Sequence, residues 1–461
     1  MISRKNAAQV LAAALKTGGD FAELFLEDRR SNAMALVDGH IEHAVTGRRH
    51  GAGIRIYHGL NSIYVHTNDT SLSGLMAAAA KAADAVSGKG GEMRDIHLTR
   101  SICANIHPIK LMTMDVPGSR KAALLRDVNL AAKTVSDEIS QVRANLTAWD
   151  SDILIANSEG LFTGDTRAYT RMAVSAIASA GGESQTGHVG PGALMGYELF
   201  ETRVNPEEAA KTAANMAVTM LHAESCPAGN MPVVIDGGFG GVIFHEACGH
   251  SLEAAAVAFG NSEFAGKLGE QIASPIVTAI DDGTMPNEWG SSNIDDEGIP
   301  TTRLTLIENG ILKNYMIDRL NGRRMNMPST GSGRRQDYTL APTSRLRNTF
   351  IAPGDHDEGE IITSCGDGLY AKSMGGGSVN PVTGEFNFAV DEGYLIRNGK
   401  IDRPVRGATL IGKGNEILKK IDRVGKKMWM AQGMCGASSG SIPTNVGQPM
   451  IRVTDITVGG R

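Results

Sequence analysis

Hydrophobic and polar positions along this chain follow two periods. Spacing near 3.6 marks helices, and alternation by two marks strands. Residues 5–17 repeat at helical spacing and stop at Gly18-Gly19. Strand-like runs follow at 22–28, at 33–37 with 41–46, and at 53–66, the last turning at Gly59-Leu60-Asn61. A helix is predicted over 71–87, with Ser71 or Ser73 as its cap and an alanine-rich interior. Residues 88–117 show little periodicity and read as a connection with room for one strand. The order then recurs. A helix over 119–139 precedes strands at 141–150, 152–157 and 161–180, with turns at Ser151-Asp152 and Glu159-Gly160. A closing helix spans 205–223, with Pro206 at the favoured first position and Glu207-Glu208 in the positive first turn. The pattern predicts two helix–strands–helix units, 1–87 and 118–224, within an N-terminal α+β domain, 1–226.

Past the Pro- and Gly-bearing stretch 226–230, the pattern changes to strand and turn. Two Asn-Gly pairs sit between alternating runs, Asn309-Gly310 and Asn398-Gly399, and both signal hairpins. Glycine-rich runs at 329–335, 375–377 and 435–440 read as further turns. The expected fold class is α+β: an N-terminal α/β region, then a mainly β, barrel-like C-terminal domain over 227–461 that carries one metal-binding helix.

Composition narrows the function classes. The 461 residues are 41% hydrophobic and 21% charged, as in ordinary globular proteins, with 56 glycines and only 5% aromatics. A net charge of −5 gives no electrostatic case for nucleic acid or an anionic membrane. No run approaches the ~18 apolar residues needed to span a bilayer. The basic and Ala/Leu-rich start is better read as an amphipathic first helix than as a signal peptide. Five scattered cysteines argue against a disulfide framework and for a reducing, cytoplasmic setting.

The chemistry concentrates at 231–250, MPVVIDGGFGGVIFHEACGH. A short buried strand at 232–235 leads through Gly237, Gly238, Gly240 and Gly241 into His245-Glu246-Ala247-Cys248-Gly249-His250. Two histidines beside a glutamate are parts of a zinc hydrolase, with the carboxylate as general base. The spacing is unusual. Histidines at i and i+4 lie about 40° apart on an α-helix, whereas i and i+5 lie about 140° apart. A local π-turn would return both rings to one face, and Gly249 would ease it. A catalytic zinc needs a third protein ligand. Cys248, Glu253, Cys365, Cys435 and distant His or Asp residues are all candidates. The loops Gly237–Gly241 and 411–416 lack the Gly-Lys-Ser/Thr pattern of a phosphate loop, which excludes nucleotide binding by that device.

Several longer runs extend the motif: IDDEGIPTTRLTLIENGILKNYMIDRLNGRRM (294–325), GSGRR (331–335), MGGGSVNPVTGEFNF (374–388), EGYLIRNGKIDRPVRGATLIG (392–412) and the tail MCGASSGSIPTNVGQP. With HEACGH they resemble the TldD/PmbA family of metalloproteases, in its HExxxH-bearing TldD branch. The resemblance covers most of the chain. It implies one Zn2+ per active subunit, held by His245, His250 and Cys435, with Glu246 as the catalytic base. It implies a homodimer, or a heterodimer with a paralogous subunit, enclosing a chamber, and cleavage of unfolded proteins or peptides. A peptide gripped by its backbone would suit Gly375, Gly376 and Gly377, where no side chain intervenes. Arg334 and Arg335 are candidates for a substrate carboxylate or for salt bridging. The alternative function is a non-catalytic or heteromeric partner subunit regulating such a protease.

Overall fold

Four long strands organise the N-terminal half. In the computed structural model, which describes residues 2–86, 95–380 and 383–460, Phe21–Val37 pairs with His40–His58 on one side and with Ile139–Asn157 on the other. Ile139–Asn157 pairs in turn with Leu161–Ala180. The runs expected at 22–28 and 33–37 are therefore one strand, as are those at 141–150 and 152–157. Ser151-Asp152 does not turn; it sits in the ladder, opposite Arg29 and Asp28. Both flanking strands extend across this point, and their pairing overrides the local turn preference of Ser-Asp. The sharp turn lies instead at Asp38-Gly39, both at positive φ (45° and 83°), as an Asp-Gly hairpin requires. Part of the connection expected over 88–117, and Ser87 at the end of the second predicted helix, lie outside the described residues. Within the rest of that connection, Thr99–Arg100 forms a short strand.

Helices Arg4–Ala14 and Leu72–Asp84 pack together over one end of this sheet, burying Val10, Leu11 and Leu75 against Leu24 and Ile54. Gly118–Lys133 and Pro206–Leu221 pack over the other, on Val142, Leu146 and Val174. The caps follow the sequence: Ser71 Oγ accepts from the Gly74 N–H at 3.1 Å, and Asn205 accepts from Glu207 and Glu208. The helix expected to reach residue 139 stops at Lys133, because Ile139 already belongs to the strand.

The C-terminal half is mostly β. Strands Gly368–Val379, Gly229–Ile235, Ile451–Gly459, Thr409–Lys413 and Glu385–Arg397 pair in that order, and the last pairs back onto the first. The result is a closed five-strand barrel around Val233, Ile235, Phe388, Leu410 and Val453. A second sheet runs Ile311–Leu312, Arg303–Glu308, Ala279–Asp282, Asn348–Ile351, Gly440–Gln448 and Trp429–Ala437, the last at its edge. Both Asn-Gly hairpins form, with Asn309, Gly310, Asn398 and Gly399 all at positive φ. Gly375–Gly377 lie within the strand Gly368–Val379 and not in a turn, although the pairing slips between Met374 and Gly377. No helix among the described residues is long and apolar enough to cross a membrane.

Buried ion pairs join the two halves. Arg335 Nη2 bonds Glu23 at 2.7 Å, and Arg55 Nη2 bonds Glu23 and Glu297, each at 2.7 Å. Burial works against the Glu23 carboxylate, but Arg55 and Arg335 outweigh it and hold its pKa down. Arg334 is also buried and donates to the Leu346 and Pro443 carbonyls. Both arginines thus have partners inside the protein, Arg335 in an ion pair and Arg334 on backbone carbonyls. Removing one partner of a buried pair strands the other charge, so Arg335→Ala should destabilise the chain by ~3–5 kcal/mol, read from urea unfolding midpoints. A loss below ~1 kcal/mol would mean that the network contributes little net stability.

Candidate metal centre

The residues after the strand Gly229–Ile235 form a composite helical run. A 3-10 turn at Gly238–Gly241 passes into α-helix at Val242–Phe244, π-helix at His245–Gly249 and a second 3-10 turn at His250–Leu252. Glu253 is extended, and a last turn of helix spans Ala254–Val257. The single helix expected here is therefore broken into segments. Its central segment is the π-turn that the histidine spacing predicts: the His250 N–H donates to the His245 carbonyl five residues back. Gly249 has ordinary right-handed helical angles (φ −54°, ψ −51°), so it relieves no backbone strain. A Cβ there would stand 2.6 Å from Leu346 Cδ2, so that side chain would have to shift to admit any other residue.

The turn sets the two imidazoles nearly perpendicular, with ring centres 5.0 Å apart. Cys435 comes to them from the edge strand Trp429–Ala437, paired opposite Ile442, and not from a loop. Its Sγ lies 3.3 Å from His250 Nε2. One donor atom from each of His245, His250 and Cys435 falls within 4.8 Å of the others. Burial opposes a charged thiol, yet hydrogen bonds from His245 and His250 overcome it and bring the Cys435 pKa down to about 4. Burial likewise opposes charge on His250, and the Glu253 carboxylate and Cys435 thiolate outweigh it and push its pKa well up. The Nδ1 of His245 is buried with no hydrogen-bond partner among the described residues. A ready thiolate, two imidazoles and an unsatisfied ring nitrogen fit a metal ion.

Glu246 stands beside this triangle, its Oε2 3.7 Å from His250 Nε2. Its side chain is 28% exposed, against 16% for His250, so it is reachable from solvent. The other candidate ligands do not join the set. Cys248 is buried in the core beside Phe244 and Leu252, its thiol pushed well up by burial. Cys365 packs in a separate cluster with Val234 and Ile361. Glu253 lies behind the ring of His250, with Oε2 3.3 Å from Nδ1. Sequence reasoning missed Arg345, fully buried, which donates to the carbonyl of Cys435. No motif marks it; its signal is only a cationic side chain in a strand-rich stretch. The strand holding Gly375–Gly377 packs against the π-turn, with Gly375 buried and Gly376 and Gly377 exposed. A Cβ on Gly377 would meet the Asn387 carbonyl at 2.1 Å, whereas one on Gly376 would meet nothing within 4 Å.

Three domain descriptions of one family match the chain: PmbA/TldA metallopeptidase domain 1 over 22–86, the central domain over 114–221 and the C-terminal domain over 228–460. A metalloprotease TldD homolog of Haemophilus influenzae is 35% identical over 452 residues, covering 96% of this chain and 93% of the relative. A relative in Saccharolobus solfataricus, named a zinc metalloprotease TldD homolog, is 31% identical over 244 residues, covering 53% of this chain and 54% of its own. Among solved structures, a Thermotoga maritima protein superimposes with a TM-score of 0.80 at 20% identity, covering 99% of each chain. TldE from Thermococcus kodakarensis does so at 0.75 and 18%, also over 99% of each. At these identities the two structures bear on the fold alone.

Proposed function

This chain belongs to the PmbA/TldD metallopeptidase family, and from that premise we propose that it is a zinc peptidase acting on unfolded proteins and peptides. The observation that carries the proposal is the triangle of His245, His250 and Cys435 with Glu246 at its side. An N,N,S donor set favours zinc over magnesium or calcium. In this reading residues 227–461 form the metallopeptidase domain, and 1–226 form a separate N-terminal domain.

His245, His250 and Cys435 would hold the ion. When bound there, zinc supplies Lewis acidity, lowering the pKa of water toward ~7 and polarising a peptide carbonyl. The remaining work falls to the chain. Glu246 takes the proton from the attacking water and delivers it to the leaving amine. Its partial exposure allows that exchange. Cys435 is already held as a thiolate by its two histidines, and the proton that Glu253 and this thiolate favour on His250 would leave as the ion binds.

Backbone recognition suits a substrate of any sequence. The strand carrying Cys435 lies at a sheet edge; the carbonyls of Gln432, Gly433 and Cys435 already accept from Arg171, Trp289 and Arg345, so an extended peptide would pair with the backbone groups that remain. Gly375–Gly377, with open space at Gly376, would let a second stretch of backbone approach. The chain would work in the cytoplasm as a dimer, with itself or with a paralogous subunit, and sedimentation of the purified chain reports which.

Stripping the metal with a chelator should abolish hydrolysis of unfolded casein, and adding zinc back should restore it. Hydrolysis that persists after complete zinc removal would sink the reading.

A further inference from the structure

We propose that Glu253 and Arg345 form a buried brace that positions His250 and Cys435 as a single metal-binding unit; the inference rests on the metal-site reading above. The two ligand-bearing elements lie far apart in the chain. His250 closes the π-turn, and Cys435 belongs to a hairpin edge strand. Among the described residues neither element pairs with the other through its backbone; the Gly238–Gly241 turn of the helical run packs on the hairpin, and the side chains of Glu253 and Arg345 add contacts at the ligands themselves.

Glu253 holds the first side. The helical run breaks at this residue, whose extended backbone (φ −74°, ψ 129°) lets the side chain fold back over the preceding turn. Its Oε2 lies 3.3 Å from His250 Nδ1 and its Oε1 accepts from the Leu346 N–H at 3.3 Å. The side chain is only 9% exposed. A carboxylate behind Nδ1 fixes the tautomer and the plane of the ring, and so aims Nε2 toward Cys435.

Arg345 holds the second side. Its Nη1 donates to Ser439 Oγ and to the Gly440 carbonyl, both at 2.9 Å, in the turn of the hairpin that carries Cys435. Its Nη2 donates to the Cys435 carbonyl itself. Its Nε faces Glu253 Oε1 at 3.9 Å with no hydrogen bond, so this side of the guanidinium acts on the carboxylate by charge. One fully buried guanidinium therefore touches the ligand strand and neutralises the carboxylate that orients the other ligand. Lysine, with one point charge and no rigid fork, cannot make all of these contacts.

The test measures zinc dissociation constants of the full chain by competition with a chromophoric chelator, beside thermal melting of the metal-free proteins. Glu253→Ala should weaken zinc binding by about 10–100-fold. Glu253→Gln, which keeps an oxygen for Nδ1–H, should lose less than Glu253→Ala. Arg345→Lys should also weaken binding, and should shift the thiolate-to-metal band of the cobalt-substituted protein. Wild-type affinity in Glu253→Ala, with the metal-free protein folded, would overturn the brace and leave the metal site standing. Metal-free variants that have lost their folded transition would reduce both residues to structural ones and overturn the brace as well. A wild-type chain that binds no zinc would overturn the metal-site reading and the brace together.

Discussion

Glu246→Gln should keep its zinc and lose hydrolysis of unfolded casein by about 10²–10⁴-fold in kcat, the range that a positioned general base contributes. The substitution is nearly isosteric, and Glu246 is not one of the three clustered donors. Among the described residues its ion-pair contact is with His250, at 3.7 Å, and the glutamate side chain is 28% exposed, so its loss should not unfold the chain. Zinc content measured by elemental analysis should therefore match the wild type. Substrate binding should change little, so the loss should fall on kcat and not on KM. Full turnover with glutamine in place would remove Glu246 from the mechanism, whatever the metal content. Loss of zinc together with activity would point instead to an unplanned effect on the triangle.

The metal centre was only partly legible in the chain. His245, Glu246 and His250 are adjacent in sequence, and their awkward spacing has one geometric remedy, the π-turn, which the structure contains. That inference needed only helix geometry. The close approach of Leu346 to Gly249 was not legible, because Leu346 lies almost a hundred residues on. The same holds for the partner thiol. Cys248, Cys365 and Cys435 are equal candidates by composition, and only family resemblance singled out Cys435. What separates them is tertiary: Cys248 faces the core, Cys365 sits in another cluster, and the edge strand presents Cys435 to the histidines.

The fold shows a similar division. Local signals placed the Asn-Gly hairpins, a serine cap at Ser71 or Ser73, Pro206 at the start of its helix and the strand Leu161–Ala180. They failed where a distant partner decides. Ser151-Asp152 stays extended because strands from both sides cross it, and Gly375–Gly377 is strand because Glu385–Arg397 pairs with it. Arg334 and Arg335 look like surface residues in a glycine-rich run, but the N-terminal sheet and the Cys435 hairpin enclose them. Pairing between elements remote in sequence leaves no periodic trace, so this part of the architecture can be read only from the fold.

Cys435→Ala should lose most of the zinc, while Cys248→Ala should keep about one ion per chain. The comparison is informative because the two thiols are alike in burial, 7% and 0% exposed, and Cys248 is the nearer to His245 in sequence. Either substitution removes one sulfur from a packed site and should cost only ~0.5–3 kcal/mol of stability. Unfolding therefore does not explain a difference in zinc content. Chemistry does. The Cys435 thiol is brought down to about 4 by hydrogen bonds from His245 and His250, so it is anionic at neutral pH and ready to ligate. Burial among apolar side chains keeps the Cys248 thiol protonated. Without Cys435, two imidazoles remain, and a pair of neutral nitrogens neither compensates the ion's charge nor completes the three-ligand set of a catalytic zinc site. Elemental analysis of the three purified proteins reads the outcome directly. Equal zinc in Cys435→Ala and the wild type would dismiss the thiolate as a ligand; zinc lost only from Cys248→Ala would transfer the assignment to the residue inside the motif.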